Sequence, residues 1–482
     1  MSESEIETII PATEAPASGA PAPTPLDTAH DSEARLTPEF VAAVIEKVED
    51  GDTEGARALV EPLHPADVAD LFELAPREHR QALATALGID DLLDADVLAE
   101  MNDWVREQLI EVLSPHQVAE LATQLDTDDA VAIIEDMEEE DQRAVLRAME
   151  PDDRAAIEEA LSYPEESAGR LMQRDLIAVP EHWKVSDVIA YLRSNDDLTT
   201  DFWEVFVVDI AHKPVGTCKV SWVIRAPDDA PIADVMAREQ TLIPADMDQE
   251  DVALRFQKYA LVSAAVVDKS GRLVGMITVD DIVHIIQEEA GEDALLLSGA
   301  GDGDINEPIR FTVKTRLTWL IVNLGTAMIA ASVVGLFQGE IARFALLAVL
   351  MPIVSGMGGN AGTQTLAVIV RALATNQLTS SNTWRMIGRE FRVALANGLS
   401  LGTIIGLGTF LVYRNHDLAL VIALAMVINN LVAGLAGVLI PIGLDRARVD
   451  PAVSSAVFVT MATDVMGFFS FLGLATLWGL GG

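Results

Sequence analysis

A single cysteine, Cys218, among 482 residues leaves no disulfide framework within the chain and no cysteine cluster for zinc, which fits a reducing compartment. Basic residues are scarce where acids are dense. From Phe311 onward there are 10 Lys+Arg and 6 Asp+Glu. Subtracting these from the totals of 32 and 75 leaves 22 basic against 69 acidic residues in the first 310, a net of −47. That balance argues against nucleic acid or anionic head groups as partners, and bound cations would relieve the self-repulsion. The N-terminus lacks a basic-then-apolar signal; it is acidic and then rich in Pro and Ala, and residues 1–35 are expected to form a disordered tail. No P-loop or transphosphorylation motif occurs to couple ATP to work, the acidic helices contain no EF-hand loop, and the chain is expected not to be an enzyme.

What the chain does have is five apolar runs, at about 317–337, 344–370, 393–412, 418–439 and 453–478, each long enough to cross a bilayer as a helix. Arg371, Arg385, Arg389, Arg392, Arg446 and Arg448 lie in the second and fourth connections, whereas the first and third carry only Arg343 and Arg414. The positive-inside bias then puts the acidic half in the cytoplasm and the C-terminus outside, in a bacterial-type cell membrane. Asp464 is the one acid in the last run. A carboxylate at mid-membrane costs roughly 2.5–3.5 kcal/mol on insertion scales, so it ordinarily faces a pore, a partner or a transported ion. The alternative is an acid satisfied by Ser, Thr or Asn on neighbouring helices. The second run contains Met351-Pro352-Ile353-Val354-Ser355-Gly356-Met357-Gly358-Gly359-Asn360-Ala361-Gly362-Thr363-Gln364-Thr365, a poor uniform helix at membrane depth. Its Gly359, Asn360, Gly362 and Gln364, with Asn429 and Asn430 of the fourth run, are candidate pore-lining positions. Freed carbonyls and amide oxygens suit a hard cation such as Mg2+, and the same small residues suit close helix packing. An odd number of spans leaves a homodimer as the simplest symmetric enclosure.

Residues 36–165 read as short acidic helices with a loose repeat: His64-Pro65-Ala66-Asp67-Val68-Ala69-Asp70-Leu71 recurs as Ser114-Pro115-His116-Gln117-Val118-Ala119-Glu120-Leu121. A second duplication follows. Ala168-Gly169-Arg170-Leu171-Met172 answers to Ala233-Asp234-Val235-Met236, Glu204–Asp209 to Ala264–Asp268, and Pro214-Val215-Gly216 to Leu273-Val274-Gly275. This order resembles a pair of cystathionine β-synthase (CBS) domains, at 166–230 and 231–287. The resemblance implies an adenine-nucleotide site of the kind ATP occupies at Gly275, Thr278 and Asp281; in the first module Lys219 breaks that pattern. Asp281 is equally placed to cap a helix.

An acidic helical domain, two CBS modules, an acidic connecting helix over 288–314 and a five-helix membrane domain over 315–482 together resemble the MgtE family of magnesium channels. Gly359-Asn360-Ala361-Gly362-Thr363-Gln364 and Thr463-Asp464-Val465-Met466-Gly467 carry the likeness most specifically. It implies a multidomain, mainly helical homodimer that passes Mg2+ into the cytoplasm and closes when cytosolic Mg2+ binds the acidic domains. By resemblance Asp464 is the selectivity carboxylate. The sensor acids would be Glu289, Glu292 and Asp293, Asp248 and Glu250, Asp281, and Asp128. Ala132, Ala260 and His284 stand where the family can have further acids. Two other classes remain open from sequence: a proton- or sodium-coupled transporter of Co2+ or Mn2+, and a membrane-anchored nucleotide sensor.

Overall fold

The computed structural model describes residues 29–89, 91–135, 137–194, 202–297, 305–379 and 381–480. Most of the expected tail, 1–28, lies outside the described residues. Its last part is built into the fold rather than disordered: Ala29 is buried, His30 bridges to Leu36, and His30 Nε2 lies 3.1 Å from Asp67. Internal contacts divide the chain into two units, one running to Asp246 and including Ala265–Met276, the other holding Met247–Ala264 and Ile277 onward.

The first unit begins with short helices from α1 (Pro38–Glu49) to α10 (Pro151–Ala160). Proline at the first turn and a polar residue before it start several of them. In α3 (Pro65–Leu74) His64 caps, and in α7 (Pro115–Ala122) Ser114 and Gln117 form a capping box. These are the two copies of the repeat seen in sequence. Their apolar faces meet in one core that includes Leu71, Phe72, Leu83, Leu98, Leu121 and Ile134.

Among the described residues two three-stranded sheets follow. The first is β1 (Ala178–Pro180), β2 (Glu204–Val208) and β3 (Pro214–Lys219); the second is β4 (Leu242–Pro244), β5 (Ser263–Val267) and β6 (Leu273–Thr278), and helices α11 (Val185–Ser194), α12 (Val220–Arg225) and α13 (Ile232–Val235) intervene in the chain. In the first, β1 pairs parallel with β2 and β2 antiparallel with β3; in the second, β4 pairs parallel with β5. The opening segments of the two modules are exchanged between the sheets, a pairing the repeat order does not predict. Gln173, from the first repeat, bridges antiparallel to Met276 of β6, and Ala237, from the second, bridges to Thr217 of β3. Glycine permits each approach. A Cβ on Gly275 would sit 2.7 Å from the Met172 sulfur, and one on Gly216 2.7 Å from that of Met236.

In the second unit, α14 (Gln249–Tyr259) packs with α15 (Val279–Leu296). The connecting helix expected from residue 288 is no separate element; it continues α15 without a break, because nothing between Val279 and Leu296 interrupts helical hydrogen bonding. Among the described residues, five helices are long and apolar enough to span a membrane: α16 (Ile309–Leu336), α18 (Leu346–Ala374), α19 (Thr383–Tyr413), α20 (His416–Arg446) and α21 (Pro451–Leu477), with the short α17 (Gln338–Arg343) between the first two. The Gly-rich run of the second span is also a correction, since α18 is continuous through Pro352 and the glycines. Apolar surroundings offer the backbone no other partners, so the helix holds, and Pro352 removes only one donor. The glycines act as contact surfaces instead. A Cβ on Gly362 would lie 2.6 Å from Val459 of α21, and one on Gly437 of α20 would lie 2.8 Å from the Gly362 carbonyl. Close approach through small residues is the packing mode available where lipid removes the hydrophobic drive.

Candidate functional site

Asp464 lies near the middle of α21 and is half-buried. The Ser355 hydroxyl of α18 donates to Asp464 Oδ1, and Ser355 is 9% exposed. Accepting this one hydroxyl leaves the carboxyl group's remaining lone pairs for other donors. The neighbouring hydroxyl required by the structural reading of Asp464 is therefore present, yet one hydroxyl satisfies only part of a carboxylate. Ser355 was legible only as a member of the Gly-rich run; nothing in its spacing singles it out.

The other pore-lining candidates separate into two groups. Asn429 and Gly362 pack among α18, α20 and α21, as does Thr463, the buried neighbour of Asp464. Asn429 is fully buried; its Nδ2 donates to the Val354 carbonyl at 2.8 Å, and Gly358 and Gly467 both face it. Gln364 and Asn430 instead line a side cavity of about 210 Å3 among α18, α19 and α20, with Thr365, Arg389, Glu390 and Asn397. Glu390, which sequence reading missed, is 6% exposed and pairs with Arg389 at 3.2 Å. Its place within a run of arginines disguised it as an ordinary membrane-edge charge. Gly359 and Asn360 lie on an open face of α18: a Cβ on Gly359 would meet nothing within 4 Å, and Asn360 is exposed.

The cytoplasmic carboxylates are grouped more loosely. Asp248 caps α14 by accepting from the Glu250 amide at 3.0 Å, and Gln249 between them donates through Nε2 to Glu289 Oε1 of α15 at 2.7 Å. Asp248, Glu250 and Glu289 therefore stand around one junction of α14 and α15. Glu292 is exposed one turn along α15; the side chain of Asp293 lies outside the described residues. Asp128 belongs to α8 (Thr127–Glu135) of the first unit and is 8% exposed. Among the described residues no three His, Cys, Asp or Glu side chains are already gathered around an ion position. At the end of α15, Leu296 and Leu297 pack against Leu366 and Val370 of α18 and Ala452 and Val459 of α21. The helix carrying the junction acids thus touches both helices of the Ser355–Asp464 pair.

For the nucleotide candidates, Thr278 Oγ1 donates to Asp281 Oδ2 at 2.6 Å. Gly275 has a packing duty against Met172 that explains its identity without a ligand.

Comparison with known proteins agrees with this architecture. The family model described as a divalent cation transporter matches residues 351–474, the MgtE intracellular N domain matches 63–166, and a CBS domain matches 232–288. The magnesium transporter MgtE of Enterococcus faecalis is 31% identical over 91% of this chain and 97% of its own, and that of Thermus thermophilus 30% identical over 91% and 98%. A crystal structure of the cytosolic domain of the Mg2+ channel MgtE in complex with ATP is 28% identical, covering 51% of this chain and 99% of that one, at a TM-score of 0.46. With relatives this similar along almost their whole length, the chain belongs to the MgtE family of magnesium transporters.

Proposed function

We propose that this protein conducts Mg2+ into the cytoplasm down its electrochemical gradient and that cytosolic Mg2+, bound by the acidic domains, closes the path. The observation that carries the reading is the Ser355–Asp464 pair on two membrane helices packed through glycine. Mg2+ dehydrates reluctantly and is commonly held by one or two carboxylates plus its own waters. A homodimer would supply two copies of Asp464. The open face of α18 at Gly356, Gly359 and Asn360 supports such a partner, because small residues there allow another helix to approach. An inward-negative potential contributes about 2.3 kcal/mol per charge per 100 mV, hence about 4.6 for a divalent ion, so no ATP hydrolysis is needed.

Closure would work through α15. Without cations, Asp248, Glu250, Glu289 and Glu292 repel, and a bridging divalent ion reverses the sign. An ion that binds one arrangement better shifts the population toward it, and Leu296 and Leu297 carry that shift to α18 and α21. ATP at Thr278 and Asp281 is a further proposal: nucleotide binding would compete for the Thr278–Asp281 hydrogen bond. The orientation with the acidic domains and the even-numbered connections inside belongs to the same reading.

The deciding experiment is divalent flux into liposomes. Asp464→Ala should cut Mg2+ uptake at least about a hundredfold, an effect of about 2.7 kcal/mol on the path, while the protein still inserts and elutes as wild type does. Uptake at the wild-type rate would remove Asp464 from the path. Collapsing the proton gradient should leave wild-type flux intact, and its loss would establish proton coupling instead.

A further inference from the structure

Asn429 has a place in this geometry that packing alone does not explain. It is fully buried on α20, and its Nδ2 donates 2.8 Å to the carbonyl of Val354, the residue immediately before Ser355. On its other side it fills the gap left by Gly467, one helical turn beyond Asp464, where a Cβ would sit 2.8 Å from Nδ2. Gly358, one turn beyond Val354, is equally flush against the amide. One side chain from a third helix therefore fixes the backbone beside both members of the Ser355–Asp464 pair. Its Oδ1 is buried and has no hydrogen-bond partner among the described residues. An unmet acceptor carries a desolvation penalty that an apolar residue of similar size would avoid. Of the two buried amides on α20, Asn430 donates back to Met426 of its own helix, and Asn429 is the one whose donor reaches the backbone beside the pair.

We infer that Asn429 is a positioning residue for the ion site: its amide holds α18 and α21 at the separation where Ser355 meets Asp464, and so sets how tightly and how selectively the carboxylate takes a hydrated divalent cation. The inference rests on the reading of Asp464 as the path's carboxylate. Its effect is on the quality of the site, because the charge itself remains when Asn429 is changed. Loss of the Val354 anchor lets Ser355 withdraw. The carboxylate then samples arrangements that fit the Mg2+ hydration shell less well, while the route through the membrane persists.

The test measures uptake by the full-length protein in liposomes over a range of external Mg2+, with Co2+ as competitor. Asn429→Leu, which keeps bulk but removes the donor, should raise the half-saturating Mg2+ at least fivefold and reduce the Mg2+ over Co2+ preference, a larger change than any fall in maximal flux. Ser355→Ala should act in the same direction. The double variant Asn429→Leu with Ser355→Ala should be no worse than the poorer single variant, because both remove one device, whereas independent sites give additive effects. Gly467→Ala approaches the amide from the α21 side and should reproduce the shift even if Asn429→Leu fails to insert. Unchanged half-saturation and preference in the inserted variants, or fully additive effects in the double variant, overturn the proposal. Asp464→Ala in the same assay keeps the two readings distinct: normal flux there sinks the pathway, whereas lost flux with indifferent Asn429 variants sinks only the positioning role.

Discussion

Changing Asp464 to Asn keeps the shape that Ser355 meets and removes only the charge, so it separates geometry from electrostatics at the site. Residual flux is expected, with divalent over monovalent preference reduced about tenfold or more, a difference of about 1.4 kcal/mol. Competition assays with Na+ and Mg2+ measure it, and an unaltered preference would make charge irrelevant to the filter. Cys218 offers a second test, outside the membrane. It is buried on β3 among Val205, Val207 and Val223, and burial, with a smaller contribution from Glu204, pushes its thiol up from 9.0 to about 11. The folded protein thus holds this proton more tightly than the unfolded chain. Whatever stability this confers is complete below about pH 9 and is lost as pH rises toward 11. At pH 8 the thiolate fraction should be about a hundredfold below that of an ordinary cysteine, so iodoacetamide should label Cys218 only once the domain unfolds. Rapid labelling of native protein would refute the buried placement.

Among the helices, α15 carries the proposed sensor acids and packs at its end against α18 and α21, so the proposed closure is tested there. Replacing Glu289, Glu292 and Asp293 together by Ala should leave the path open at cytosolic Mg2+ levels that shut the wild type, moving the closing midpoint upward at least tenfold in patch recordings. An unmoved midpoint would transfer the sensor to another part of the acidic half. Gly437→Ala probes the α18–α20 contact. Its methyl would press on the Gly362 carbonyl, overpacking costs about 1–3 kcal/mol, and thermal unfolding should begin several degrees earlier. The five spans were legible because hydropathy over twenty residues is a local property, and the CBS order was legible because its strands and glycines recur. The continuity of α18 was not, since helix propensity measured in water misjudges glycine where lipid removes every alternative backbone partner. Exchange of the CBS opening segments was also hidden. Met172 and Gly275 meet only through tertiary packing, and no periodicity encodes a partner about a hundred residues away. Asp464 stood out as a lone charge and Asn429 as an amide within an apolar run, whereas Ser355 had no signal of its own because it matters through its partner on another helix.

Across the whole molecule, the strongest asymmetry is the −47 carried by the first 310 residues. Limited proteolysis of the full-length protein should show its cytoplasmic part markedly more resistant in millimolar Mg2+ than in NaCl of matched ionic strength. Both salts shorten the Debye length, but only Mg2+ bridges carboxylates. Equal protection by NaCl would reduce the acids to a solvated surface and leave closure by bound ions without a basis. The paired exchange of CBS opening segments has a consequence for how the chain is made. Gln173 cannot take up its bridge until Met276 has left the ribosome, about a hundred residues later. At roughly 5–20 residues per second, that is a wait of about 5–20 s. During that interval the Met172–Gln173 segment has no strand to join, and when Thr217 emerges it must in turn await Ala237. Neither repeat is completed in order of synthesis, so a nascent chain stalled between them should remain protease-sensitive and become resistant only when translation passes the end of β6.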